Sequence, residues 1–434
     1  MRPHIYAAAA AAAAAATAIA GLAGPAMAST SPSGFTFSYE SQYGDDGLSQ
    51  AYAAPTATGQ SYGTGVAIDA SDPEQRVYSL VEATANVGVG GVRGAFPASS
   101  RTVSASGTTP SYLGPYSIVQ RDSNGQVDTS FGDNGYVTSF PNAANSDYKF
   151  TGMCVDPGTG NIVVVGSETT SSGTVGVIEQ LRQPAKGSST ATLDKSFNPG
   201  GAQPGVVTIA TPNGNNDPGL YSCTVADAGP GRSGAVIVGG VDDSSTTSLL
   251  LAGRISSSGS PDKAFGADGI AEYPVDSVDG SGTAAEVMNV ALGDGRFPDV
   301  ILSGFSYEKG APGSPATALT VAVKGATGAL DTHFNGTGEL VNPAYGEAVL
   351  ARVTSGDGRA AGLSIVYATV GSDTAEYADY PLSSAGVPDL AAPTTTTTGT
   401  FTVPAGFAAM QGYTVGSSGQ IVVSGDTTSD QEQL

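Results

Sequence analysis

Carboxylates are the catalytic chemistry this chain offers in quantity. It has 39 Asp and Glu but two His, two Cys and no Trp. His4 falls in the apolar N-terminal segment, which leaves His333 and excludes sites built on two or three histidines for Zn²⁺ or Fe. A Ser-His-Asp triad needs a buried, oriented imidazole. His333 instead occupies a variable slot where parallel stretches carry Ser130, Ser196 and Ala264, so it reads as a surface turn residue. Glycoside hydrolysis needs two carboxylates at a fixed separation, which this sequence neither excludes nor locates. Acidic pairs suited to a hard cation occur at Asp45 and Asp46, Asp242 and Asp243, and Asp276 and Asp279. None falls in an EF-hand pattern. Solvated turns are the plainer reading. No cofactor is assigned, and calcium is the cation these acids would fit.

The elements that would position such groups come from a repeat. "VDTSFGDNGYV" (127–137), "LDKSFNPGGAQ" (193–203), "PDKAFGADGIA" (261–271) and "LDTHFNGTGEL" (330–340) share an acid, an aromatic and a glycine at fixed offsets. The pairs are Asp128 with Phe131, Asp194 with Phe197, Asp262 with Phe265, and Asp331 with Phe334. The phenylalanines are 66, 68 and 69 residues apart. An earlier copy has Glu40 and Tyr43, and a degenerate later one keeps Asp389 but has Ala392 in the aromatic place. Six copies result. The Asp should accept backbone N–H bonds and fix a turn, the aromatic should fill the space between neighbouring units, and the last glycine should take positive φ.

Each interval also holds a β-branched run ending in or near glycine, such as "NIVVVGS", "AVIVGGV", "DVILSGF" and "QIVVSGD". In the second repeat the strand candidates are "YVTSF", "FTGMCVD", "NIVVVGS" and "GVIEQL", with turns such as "DPGTG" between them. Four short strands per repeat, carried around a ring, is a propeller pattern. The expected fold is therefore all-β: a six-bladed β-propeller of four-stranded antiparallel blades spanning 29–434. Cys154 and Cys223 are 69 residues apart, one repeat length, and each follows its motif aromatic by a similar distance. They are expected to form a disulfide between the second strands of adjacent blades. The last repeat stops after "QIVVSGD" without the strand that precedes the motif elsewhere, whereas "FTFSYE" at 35–40 is such a strand with no partners before it. The ring is expected to close by pairing residues 35–40 with 420–426, which would cover an otherwise open sheet edge.

The consensus GxxDxxFGxxG followed by GxIxVxG resembles the delta-60 repeat of bacterial secreted and surface proteins, a relative of NHL-type propeller repeats. The resemblance covers most of residues 35–430 and is good at the second and fourth copies. It implies a β-propeller and carries no catalytic residues and no defined ligand.

The N-terminus reads as an export signal over residues 1–28, with a short basic start, an alanine-rich apolar run and "AMA" before Ser29. No later apolar stretch approaches the length of a membrane span. The net charge of −22 repels phosphate backbones and anionic lipid. These features point to a secreted or surface-held monomer with no nucleic-acid partner and no membrane insertion. A segment from Asn86 to Pro115, with Arg93 and Arg101, lengthens its interval and is a candidate partner-contacting loop. Two functions follow: a non-catalytic module that binds an extracellular protein or glycan, and a carboxylate-dependent, calcium-assisted hydrolase or lyase. The first is favoured; tryptophan, on which sugar-binding and quinone-cofactor propellers commonly lean, is absent, which lowers both of those readings.

Overall fold

Val, Ile and Leu runs bounded by Gly, Asn and Asp set the element type. Their branched side chains fit a pleated surface, and the polar residues between them fit turns. The computed structural model describes residues 17–18, 20–22, 50–51, 60–69, 72, 74–84, 116–145, 147–211, 218–243, 248–274, 283–292, 299–308, 316–342, 345, 347–354, 362–368, 374–381, 399–402, 407–415 and 421–427. Among these residues every regular element is a strand.

Three short N-terminal strands come first: β1 (Thr17–Ala18), β2 (Ala20–Leu22) and β3 (Gln50–Ala51). The first sheet is β4 (Gln60–Ile68), β5 (Val77–Thr84), β6 (Tyr116–Arg121) and β7 (Tyr136–Val137). The second is β8 (Tyr148–Val155), β9 (Ile162–Thr170), β10 (Gly173–Leu181) and β11 (Val206–Ile209). The third is β12 (Pro218–Val225), β13 (Val236–Asp243), β14 (Ser248–Ile255) and β15 (Ile270–Pro274). The fourth is β16 (Thr283–Leu292), β17 (Asp299–Glu308), β18 (Thr317–Lys324) and β19 (Glu339–Asn342). The fifth is β20 (Glu347–Thr354), β21 (Gly362–Ala368), β22 (Thr374–Pro381) and β23 (Gly399–Thr402). The last pairs β24 (Phe407–Val415) with β25 (Ile421–Thr427), and β25 with β2. All ladders are antiparallel and, within the first five sheets, join strands in sequence order.

This order shifts the expected strand phase by one. Tyr136–Val137, read from "YVTSF" as the first strand of the second repeat, is the fourth strand of the first sheet. The motif thus links the third strand to the fourth instead of following a complete sheet. The expected closing pair also changes. The strand beside β25 is Ala20–Leu22, with Gly21 opposite Val422, and β1 pairs in turn with β3. Residues 35–40 lie outside the described residues.

The first strand of each four-stranded sheet, and β24, carries an extra residue opposite its partner at Thr64, Thr151, Tyr221, Met288, Val349 and Gln411, and β24 has a second at Ala408. A bulge of this kind bends and twists its strand. Among the described residues the first three bulges are where neighbouring sheets touch. A Cβ on Gly65 would lie 3.1 Å from Gly152 Cα, and one on Gly152 would lie 2.9 Å from the Tyr221 carbonyl carbon. The Thr151 hydroxyl donates to Leu220 O, and Val290 N–H donates to Ser222 Oγ at 3.2 Å. First strands pack in the order β4, β8, β12, β16, β20, β24, and β24 packs against β4.

The apolar core lies between consecutive sheets. Phe150, Val164 and Leu181 of the second sheet pack with Tyr78, Leu80 and Ile118 of the first. Val422 of β25 packs with Val66, Ile68 and Val77 of the first sheet.

Candidate functional site

The repeat motif is one hydrogen-bonded corner built four times. The Asp N–H donates to the third strand at Gln120, Gln180, Arg254 and Ala322 O, at 2.8 to 3.0 Å. Its side-chain oxygen then accepts the N–H two residues on: Ser130 at 2.8 Å, Ser196 and Ala264 at 3.1 Å, and His333 at 3.2 Å. Its carbonyl accepts the aromatic N–H in each case, at 2.8 to 3.1 Å. This satisfies the buried polar backbone of a sharp corner. Phe197, Phe265 and Phe334 are fully buried, Phe131 nearly so, and each joins the apolar cluster shared with the next sheet.

The glycines have two distinct jobs. Gly135, Gly205, Gly269 and Gly338 have φ of +93, +98, +89 and +94, a region that disfavours a side chain. In the third copy this residue is Gly205, not Gly201 as its offset from Phe197 suggests, because four extra residues enter the corner and Gly205 N–H still donates to Phe197 O at 2.6 Å. The hairpin-turn glycines meet the preceding corner. Asn198 N–H donates to Ser258 O at 2.7 Å, and Gly266 N–H to Thr327 O at 2.9 Å. A Cβ on Gly259 would lie 2.8 Å from Asn198 Cα, and one on Gly328 would lie 2.9 Å from Gly266 N. In the longer third-copy loop the bond runs the other way: Gly187 N–H donates to Gly132 O at 2.5 Å, and a Cβ on Gly187 would meet nothing within 4 Å.

Basic side chains complete the corners. Arg182 reaches Asp194 at 3.2 Å, Arg254 reaches Asp262 at 3.2 Å, and Arg76 lies 3.6 Å from Asp128. Burial pushes the Asp194 carboxyl up, but Ser196 and Arg182 outweigh it and hold it below its ordinary value. His333 is exposed, with Nδ1 2.9 Å from Asp331 Oδ1, so its ring does not sit in the buried setting a triad requires. Glu40, Tyr43 and Asp389 lie outside the described residues, as do Asp45, Asp46, Asp276, Asp279 and the segment from Asn86 to Pro115.

Asp242 and Asp243 end β13. Asp243 accepts the Ser248 hydroxyl at 2.6 Å. Asp242 is 1% exposed and hydrogen-bonds the Glu272 carboxyl, which burial and then the Asp242 charge push up to about 7. The two groups therefore share a proton near neutrality. They are too close to flank a scissile glycosidic bond, since carboxyl pairs doing that work stand roughly 5 to 9.5 Å apart. Among the described residues no three His, Cys, Asp or Glu converge as a metal site.

The disulfide between Cys154 and Cys223 is present, with Cα atoms 5.6 Å apart. The cysteines sit on the first strands β8 and β12, not the second strands, in keeping with the shifted strand phase. Such a bond belongs to an oxidising compartment. No helix among the described residues is long and apolar enough to cross a membrane. Neither a scan against protein-family models nor a search of curated proteins finds a match.

Proposed function

We propose that the chain is an exported six-bladed β-propeller of the delta-60 type, a monomer that binds an extracellular protein or glycan without turning it over. The cyclic packing of six first strands, with β24 against β4, supports the ring. The recurrent corner and the oxidised cysteine pair support export and the repeat assignment.

One observation carries the choice of binding over catalysis: among the described residues, the motif acids and Asp242 already have structural work. Asp128, Asp194, Asp262 and Asp331 each cap their own corner. Asp242 and Glu272 hold one another. A general acid or base must instead reach a substrate proton. The test uses the whole chain against a panel of cell-wall and matrix polysaccharides. Saturable binding with no new reducing ends or unsaturated products is expected. Product release that disappears in Asp242→Asn or Glu272→Gln would establish the carboxylate hydrolase or lyase instead.

A further inference from the structure

Glu179, like Glu272, is a strongly perturbed carboxyl that the corner motif does not use. It lies on β10, opposite Val164 of β9 and Val206 of β11. The same ladder position holds Val119 in the first sheet, Gly253 in the third and Val321 in the fourth. Strand alternation puts Glu179 on the face of Val177 and Leu181, which pack into the cluster between the first two sheets. It is 0% exposed.

Its partner comes from the connection between those sheets. Asn142, at φ +61, donates from Nδ2 to Glu179 Oε1 at 2.5 Å, and the same amide lies 3.5 Å from Gln203 Oε1. Glu179 Oε2 makes no hydrogen bond. The neighbouring connection residue, Ala143, accepts the Tyr116 N–H at 3.3 Å and so ties the connection to the third strand of the first sheet. The titratable groups on this face are Glu168 of β9 and Tyr148 of β8, which hydrogen-bond each other, with Asp147 beside them, and, from the first sheet packed against it, Tyr78, Tyr116 and, by alternation with Leu80, Glu82. Lys149 points to the opposite face of its strand by alternation. No cation therefore offsets a charge on Glu179. Burial first, and Glu168 further, push its carboxyl up to about 8 despite the Asn142 hydrogen bond.

We infer that Glu179 and Asn142 form a pH-operated latch, which keeps the connection over residues 138–145 seated on the second sheet while Glu179 is neutral and releases it when Glu179 ionises. An ionised carboxylate buried with one hydrogen bond is costly. Phe140 and Ala143 lie in the core cluster and Ser139 is hydrogen-bonded to Ser189 and Ala191, so the release is a local opening at Asn142 that admits water to the carboxylate. The proton simply passes between the carboxyl and bulk water.

The test is amide hydrogen exchange over residues 138–145 from pH 6.5 to 9.5, corrected for intrinsic exchange. Protection should fall about tenfold per pH unit until Glu179 ionises in the seated state near pH 8, and level off above it. Glu179→Gln should abolish that dependence, and Glu179→Val, copying the first and fourth sheets, should abolish it too. Glu168→Gln should move the transition to higher proton demand, that is to lower Glu179 affinity for its proton, and keep its slope. Flat protection in the unaltered chain, or a slope that survives in both Glu179 variants, would overturn the latch.

Discussion

Replacing Gly259 by Ala tests whether neighbouring sheets interlock through the turn glycines. Two costs are expected there. Gly259 has φ +81, and a side chain in the left-handed region costs roughly 1–2 kcal/mol. Its new Cβ would also press on the Asn198 backbone N and stand 2.8 Å from Asn198 Cα and Cβ, against 3.4 Å or more in ordinary contact, so the corner must retreat by more than about 0.6 Å. That retreat strains the Asn198 N–H to Ser258 O bond. Overpacking of this kind typically costs about 1–3 kcal/mol. Gly229 supplies the control, because it has φ +86 and nothing within 4 Å of its Cβ position. Gly229→Ala carries the backbone cost alone, partly offset by about 0.4–1 kcal/mol from a stiffer unfolded chain. Equilibrium urea unfolding of the whole chain should place Gly259→Ala about 2 kcal/mol below Gly229→Ala. Equal midpoints and slopes for the two variants would show that the corners do not bear on the adjoining turns.

Removing the disulfide by Cys154→Ala with Cys223→Ala should cost about 4 kcal/mol, the chain-entropy value for its sequence separation of 69, read as a lower urea midpoint that reductant no longer moves. Phe265→Ala empties a fully buried site between the third and fourth sheets and should cost about 3–5 kcal/mol, against under about 0.5 kcal/mol for the exposed Lys263→Ala. Glu272 has a raised carboxyl value in the folded chain, so its contribution is fully present below the ordinary carboxylate range and is lost as pH rises towards about 7. The thermal midpoint of the unaltered chain should therefore fall over that window, and Glu272→Gln should flatten that part of the profile.

The corners were legible because each is local: an Asp that caps a turn, an aromatic three residues on and a glycine at positive φ lie within one short stretch. Their interlocking was not, since Gly259 meets Asn198 across a sheet boundary and nothing in "SSSGSPDK" names that neighbour. The strand phase failed for a related reason. A fourth strand as short as Tyr136–Val137 runs straight into "TSF", so the apolar run reads as the opening of the next sheet. The bulges left no trace at all. Their extra residues are Thr, Thr, Tyr, Met, Val, Gln and Ala, because a bulge is a property of backbone pairing and each side chain there answers to its own surroundings. Glu179 left the opposite trace: in "GVIEQL" the alternation of Val177, Glu179 and Leu181 puts a carboxylate on a buried face. The acids that stood out sat in turns, where carboxylates hold backbone. The acid that does not fit its strand is the one whose presence the fold alone does not explain.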